Sequence, residues 1–569
     1  MFHIEGDQIM TTAPANFPDH IFIQPENYRN WSSTIVVDQM WTCTPKTAED
    51  VVTICNWAKS QSPVWPVRAK GVAHGWSPLT IVEGTKPGAN ILLVDLSEHL
   101  KNLKFIPAEG TAPAMVKAEA GAKMLNLLTF LQFQQGGNGS AMGFTFPHVP
   151  APGNLTVGGV LAINGHGTAV STSNEHFSSS YGSVSNLITA FTAVVSSDTA
   201  PYDYELRMFD RGDPDAAALL VHAGRTIIVS ATLQVIDNFN LRCQSMMDIP
   251  ADTLFAAPTG ATPPPQSLGS YLEASGRVEA IWYPFTDEPW LKVWTVEPTK
   301  PSGAKQVDQP YNYAFSDNLP IWVTTALKEV TTSSPELTPT FEKYFAMFTK
   351  AMLSLGGLSD LWGPSMNTLL YVRDTTLRVT ANGYAIQMKR ADVQHAVHDV
   401  VTQFQTMLEH YEAKGQYPVN APLEIRVTGL DDPSEVYAPP GQTAQSPLIS
   451  SLTYDAVAKA NGYDCAVWFD VLTLPGTPYA NDFYAELEAW FTLRFIAPTA
   501  RLFPEWSKGW AYTNAGGWTD RNFFAEMRSE FSKGRAPADN WNAVTATYQK
   551  YDRANLYSNA LLDELFVKI

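Results

Sequence analysis

The chain has 569 residues, too many for one core, so two or more domains are expected. Charged residues make up 17% against a usual ~25%, aromatics reach 12% and there are 16 Trp, which calls for a large core, a sizeable apolar cavity or both. A net charge of −18 with no offsetting basic cluster argues against nucleic acid or an anionic membrane as partner.

Cys43, Cys55, Cys243 and Cys465 show no metal-binding spacing and read as buried thiols, a disulfide being the lesser alternative. No apolar run is long enough to span a bilayer. The opening MFHIEGDQIM lacks the basic and apolar regions of a signal peptide, so the protein is cytoplasmic unless a leader is missing.

In chain order, 47–61 reads as a helix with Thr47 as N-cap and Asp50 at the capping-box position. A strand over 64–68 then feeds the loop Arg68-Ala69-Lys70-Gly71-Val72-Ala73-His74-Gly75-Trp76-Ser77. Gly71 and Gly75 allow positive φ and close ligand approach, and successive N–H groups of such a loop can converge on an anion such as a pyrophosphate. Strands follow at 90–96 and 115–120, then an amphipathic helix at 122–135 stopped by Gly136-Gly137. A second glycine-rich stretch contains Pro152, Gly153, Asn154, Thr156, Gly158 and Gly159, the last two opening a short helix that closes at Asn164-Gly165-His166-Gly167. A glycine turn at a helix N-terminus is another anion site, and two such stretches in one α/β region say more than either alone. A strand at 186–195, a helix at 214–222 and a strand at 226–235 end the first region near 238–243.

The stretch 244–514 differs in character. It holds a Pro-rich loop at 259–267, a strand at 277–284, an aromatic helix at 340–355 and a hairpin over 376–388 turning at Asn382-Gly383. A long helix at 391–413, strands at 423–430 and 464–474, and a helix at 482–493 follow. The tail from 541 to 569 is helical and apolar enough to pack.

Strand periodicity isolates charges. Glu424, Arg426 and Thr428 share one face; so do Ala466, Trp468 and Asp470, and Glu279 aligns with Ile281 and Tyr283. Two readings are open: a solvated sheet face with cross-strand pairs, or a cavity wall in which carboxylates have raised pKa values and serve as general bases.

At these residues the chain resembles the covalently flavinylated (type II) cholesterol oxidases of the vanillyl-alcohol-oxidase superfamily. The resemblance runs over nearly the whole chain: the His74 loop, 152–168, 277–287, YNYAFSDNLP at 311–320, the Glu424-Ile425-Arg426 strand, FPEWSKGWA at 503–511 and a tail motif from Tyr551 to Asn559. It implies an α+β, two-domain PCMH-type fold. The FAD domain, two α/β subdomains, would take 1–243 with 515–569, and a substrate domain with a large antiparallel sheet covered by helices would take 244–514.

The resemblance further implies FAD bonded covalently to His74, with Arg68, Lys70, Gly71, Val72, Ala73, Gly75, Trp76, Ser77, the 152–167 residues named above and Asn559 around the cofactor. Glu279, Glu424, Arg426, Asp470, Glu505 and Lys508 would form the active site, Arg426 gating oxygen with Glu279. Two positions depart from the family pattern: Asp470 stands where Asn is usual, and Ala381 where Glu is usual. The implied reaction oxidises a sterol 3β-hydroxyl. Glu505, Asp470 or Glu424 takes the proton, the flavin takes the hydride, O2 becomes H2O2, and a carboxylate moves the C4 proton to give the Δ4-3-ketone.

The implied partners are a sterol or other bulky apolar alcohol and O2, with transient membrane-surface contact to extract sterol, no transmembrane segment and no nucleic acid. The mature protein would be secreted or periplasmic by resemblance. The alternatives are a flavin oxidase or dehydrogenase of the same superfamily acting on another alcohol, and a non-catalytic carrier of an apolar ligand, which leaves the His74 loop unexplained.

Overall fold

The computed structural model describes residues 13–135, 142–173, 175, 179–260, 262–310, 321–370 and 378–569. The motif at 311–320 and the glycines at 136–137 lie outside them. The first region builds two sheets. One has the order Phe22–Arg29, Val36–Thr44, Leu92–Asp95, Val67–Lys70, an antiparallel hairpin continued by parallel strands. The helix Ala48–Ser60 packs Val51, Ile54, Cys55 and Ala58 into the adjoining core, and its Thr47/Asp50 capping box is complete. The strand before the His74 loop starts at Val67 rather than Val64, because Pro63 and Pro66 have no N–H to give to a ladder. The second sheet is antiparallel, ordered Leu103–Ile106, Met115–Glu119, Ile227–Gln234, Ile188–Ser196, Tyr204–Asp210.

The predicted helices at 122–135 and 214–222 contract to Met124–Gln132 and Ala216–Leu219. All four cysteines are buried and none is in a disulfide. The tail forms two helices, Trp541–Tyr551 and Ala560–Leu565. Between them Asp552 accepts from the N–H groups of Leu556 (2.8 Å) and Tyr557 (2.9 Å). This turns the chain so that Leu556 O accepts from Val67 N at 2.8 Å and Tyr557 OH donates to Val194 O at 2.9 Å. The tail therefore ties the two N-terminal sheets together.

The central layer is a nine-stranded sheet ordered Lys305–Gln306, Asp360–Pro364, Asn240–Met246, Trp290–Val296, Arg277–Trp282, Leu423–Gly429, Cys465–Thr473, Thr380–Met388, Ala500–Pro504. Only its first pair is parallel. The helices Val393–Glu412 and Ala480–Arg494 cover one face with Val397, Val400, Phe404, Leu487 and Phe491. The helix Thr338–Leu355 stands over the other, with Phe345 against Tyr283.

The hairpin expected at Asn382-Gly383 is absent. Thr380–Met388 is one continuous strand, paired on both sides. The glycine is set by packing and not by a turn: a Cβ at 383 would stand 2.5 Å from Asp470 Oδ1 and 2.7 Å from Lys508 Cδ.

The segment after Ala500–Pro504 carries Glu505 and Lys508 and is held from below by Glu488. That buried carboxyl accepts from Ala511 N at 2.6 Å and Tyr512 N at 2.9 Å, and also pairs with Tyr384 OH. Burial pushes Glu488 up to about 8. The native state thus keeps a proton that the unfolded chain, with an ordinary glutamate near 4.5, has lost. Stability contributed by this group is full below the unfolded value and lost as pH rises through about 8. We expect wild-type Tm to fall more steeply than that of Glu488→Gln between about pH 6 and about pH 9. Parallel curves would contradict this.

Candidate active site

Strand register assembles the charged residues. Across the open face of the sheet one row reads Lys292, Glu279, Arg426, Trp468, Ala385, and the next Trp290, Ile281, Glu424, Asp470, Gly383. Neighbours directly opposite in an antiparallel pair share a face, so both rows look the same way.

The Arg426 guanidinium sits among three carboxylates. Its Nε donates to Glu279 Oε1 at 2.7 Å, Nη1 to Asp470 Oδ2 at 2.6 Å, and Nη2 to Glu424 Oε2. Lys292 Nζ donates to Glu279 Oε2 at 3.1 Å and lies 4.5 Å from the Trp290 ring centroid. Lys508 Nζ donates to Asp470 Oδ2 and stands 3.1 Å from Glu505 Oε2. Burial pushes the Glu279 carboxyl up, but Lys292 and Arg426 outweigh it and hold it down at about 2. Burial and the neighbouring Glu505 push Asp470 up to about 7. Against burial, Lys508 and His166 hold Glu505 well below the usual range. The rise expected for carboxylates in this wall is found at Asp470, where burial and Glu505 outweigh Arg426 and Lys508, and not at Glu279 or Glu505, where the cations outweigh burial.

The face is a cavity wall. A cavity of about 320 Å³ lies over it, walled by apolar residues including Ile281, Tyr283, Phe341, Phe345, Leu472 and Leu474. Glu424 and Arg426 keep 16% of their side-chain surface open, Glu505 11%, and Asp470 none. Glu505 is thus a carboxylate presented to the cavity, with Asp470 behind it. Ala381 pairs with Leu472 and packs with Ala421 and Trp76, so the missing glutamate leaves an apolar wall.

His74 lies at the cavity too. Its ring is 3.9 Å from that of Trp31, and Nδ1 is buried with no hydrogen-bond partner. Burial, then Lys508 and Arg378, push the ring down to about 4, so it is neutral. A neutral imidazole with an unpartnered nitrogen, at an opening walled by Gly75, Val149 to Pro152 and Gly165 to Gly167, fits a flavin bonded to this histidine. Thr168 Oγ1 anchors that wall by donating to Val278 O at 2.8 Å.

Not every residue expected around the cofactor faces the cavity. His74, Gly75, Trp76, Pro152, Asn164, Gly165, His166 and Gly167 line it. Arg68 is buried, and its guanidinium donates to the carbonyls of Leu79, Thr80, Gly224 and Tyr557, so it is a strut. Lys70 pairs with Glu26 and Asp95. Gly71 meets the second glycine-rich stretch: a Cβ there would be 2.5 Å from Thr156 Oγ1, which caps Gly159 N. Gly158 abuts Ala120 in the same way. Positive φ falls on Ala73 (53°) and Asn164 (64°), not on Gly71 or Gly75 as expected. Trp76 N and Ser77 N donate to Ser507 O, docking the loop on the Glu505 segment. Asn559 Nδ2 donates to Pro78 O and Leu79 O and positions the same loop from the tail. Val72, Gly153 and Asn154 flank these contacts without lining the cavity. Lys292 was not singled out in the sequence, although Trp290-Leu291-Lys292-Val293-Trp294 places a lone lysine between two tryptophans on one strand face.

Fold and site together define a flavoprotein of the vanillyl-alcohol-oxidase type. The Acremonium strictum glucooligosaccharide oxidase shares the fold at TM-score 0.55 and 11% identity, over 94% of this chain and 93% of that one. Residues 240–567 match the family profile described as cholesterol oxidase, substrate-binding. A structure titled solvent-stable cholesterol oxidase is 44% identical over 98% of this chain and 100% of its own, at TM-score 0.91. The cholesterol oxidase from B. sterolicum is 36% identical over 98% and 99%, also at 0.91. No curated protein sequence matches. The chain belongs to the type II cholesterol oxidase family, and that membership implies FAD as cofactor. Among the described residues no helix is long and apolar enough to cross a membrane.

Lys292→Met leaves the buried Glu279 with one cation instead of two, and we expect a loss of about 3–5 kcal/mol in stability, the size typical of an uncompensated buried charge. The double variant Lys292→Met/Glu279→Gln should regain most of it. Chemical denaturation checks both; equal losses in the two would contradict the pairing.

Proposed function

We propose that this protein oxidises the 3β-hydroxyl of cholesterol and related sterols. The observation that carries this reading is the placement of one ionic cluster at the wall of an otherwise apolar cavity, with a neutral, unpartnered His74 at the same cavity. The apolar walls suit a rigid hydrocarbon skeleton, and the cluster offers a single polar place for its hydroxyl. A sugar substrate would need polar partners along its whole length.

FAD, when bound, supplies the hydride acceptor and passes the electrons to O2, giving H2O2. His74 would hold it covalently, and the Gly165 to Gly167 and Val149 to Pro152 backbones would flank it. Glu505, ionised and open to the cavity, accepts the hydroxyl proton. Arg426 stabilises negative charge growing on the substrate oxygen, and it needs no reorganisation because Glu279, Glu424 and Asp470 already fix it. Lys292 restrains Glu279, and Lys508 orients Glu505. In a Δ5 sterol the same Glu505 carboxylate carries the C4 proton to C6. Residues 1–243 with 515–569 form the cofactor domain and 244–514 the substrate domain in this reading. The central sheet already begins at Asn240, and the tail packs on the N-terminal sheets.

His74→Ala tests the attachment. Acid precipitation of the wild-type holoenzyme should carry the yellow colour into the pellet, and the variant should release it to the supernatant. Colour retained in the variant's pellet would remove His74 as the link.

A further inference from the structure

We propose that Asp470 and Glu505 act as one proton-accepting unit: the proton leaving the substrate hydroxyl is taken at Glu505 and then held between Glu505 Oε2 and Asp470 Oδ1. This rests on the reading of the cavity as an alcohol-oxidising site and deepens it.

The geometry supports a shared proton. Asp470 Oδ1 is buried with no hydrogen-bond donor, and the buried Glu505 Oε2 has beside it only Lys508 Nζ at 3.1 Å, which is shared with Asp470 Oδ2. Both oxygens crowd the space over Gly383, at 2.5 Å and 3.1 Å from where its Cβ would be, and the two carboxyls are within hydrogen-bonding reach of each other. The other oxygens are engaged elsewhere: Asp470 Oδ2 with Arg426 and Lys508, and Glu505 Oε1 facing His166 Nε2 at 3.7 Å. Asp470 Oδ1, a buried acceptor set against a second acceptor, is satisfied by a proton lying between the two carboxyls.

Charge points the same way. The groups facing the pair are Lys508 on its own segment, Arg426 and Glu424 on the next strand, Glu279 and Lys292 beyond, and His166 from the glycine-rich stretch. His166 Nδ1 lies 2.9 Å from Gly167 O, and its Nε2 lies 3.7 Å from Glu505 Oε1. Four carboxylates, Glu279, Glu424, Asp470 and Glu505, thus crowd around three fixed cations, Lys292, Arg426 and Lys508. An isolated Glu505, held low by Lys508, would be a weak base for an alcohol. Coupled to Asp470, which is pushed up to about 7, the doubly ionised pair takes up its first proton near neutrality. In the step itself the substrate O–H bond breaks and its proton goes to Glu505. The oxygen keeps the electron pair and forms the carbonyl as the carbinol carbon gives up its hydride to the bound FAD. Loss of the shared proton to solvent restores the dianion, which in a Δ5 sterol then carries the C4 proton to C6 before the product leaves.

The sign follows: the accepting form is the doubly ionised pair, so kcat/KM for cholesterol rises with pH through about 7. Asp470→Asn, nearly isosteric, should move this limb down by about two pH units and lower the plateau roughly 10- to 100-fold. Glu505→Gln should abolish the limb and cost about 10²- to 10⁴-fold. Subtracting either variant's infrared difference spectrum, taken between about pH 8.5 and about pH 5.5, from that of the wild-type holoenzyme should leave a deuterium-sensitive carboxylic-acid C=O band; buried Glu342, Glu435 and Glu488 are common to all three proteins and cancel in the subtraction. An unshifted limb in Asp470→Asn, or no band left after the subtraction, overturns the proposal. Failure of the substrate reading is recognised separately, because the infrared band needs no substrate.

Discussion

Three carboxylates from three adjacent strands converge on the Arg426 guanidinium, and the reaction chamber depends on that contact. Glu279 and Asp470 reach it from the flanking strands and Glu424 from its own. Such buried pairs add little net stability, because desolvation offsets attraction, but each partner leaves its neighbours exposed to a large cost if removed. The cluster therefore specifies geometry: strand register and the orientation of every carboxylate are fixed together, leaving Glu424, Arg426 and Glu505 to meet the cavity.

The surrounding fold serves this arrangement from several sides. Glu488 ties down the segment that carries Glu505 and Lys508. The His74 loop docks on Ser507 of that segment, while Arg68 and Asn559 hold the loop from behind. Thr168 joins the glycine-rich stretch to the sheet. The expected cofactor side and the expected substrate side are thus coupled through a few hydrogen bonds at the Ser507 and Thr168 contacts.

Much of this was legible in the sequence where a local rule dominates. The Thr47 capping box and the alternation in 423–430 and 464–474 stand in the structure as read. What failed was decided by tertiary contacts. Asn382-Gly383 has the signature of a hairpin, yet the glycine is there to make room for Asp470 and Lys508. Lys292 was passed over because its strand went unread, and with it went the reason Glu279 is ionised. Apart from these, Arg68 and Asn559, expected around the cofactor, give donors to backbone carbonyls that hold the His74 loop, a tertiary role that spacing does not show. Spacing alone also cannot tell a solvated face from a cavity wall; the helix Thr338–Leu355 standing over the sheet decides that.

The most direct measurement is the visible spectrum of the purified holoenzyme under anaerobic conditions, before and after adding detergent-solubilised cholesterol. Prompt bleaching of the oxidised-flavin bands by cholesterol, and none by an oligosaccharide, is the predicted result. A flavin spectrum that cholesterol leaves unchanged would contradict the assignment of this cavity to sterol oxidation.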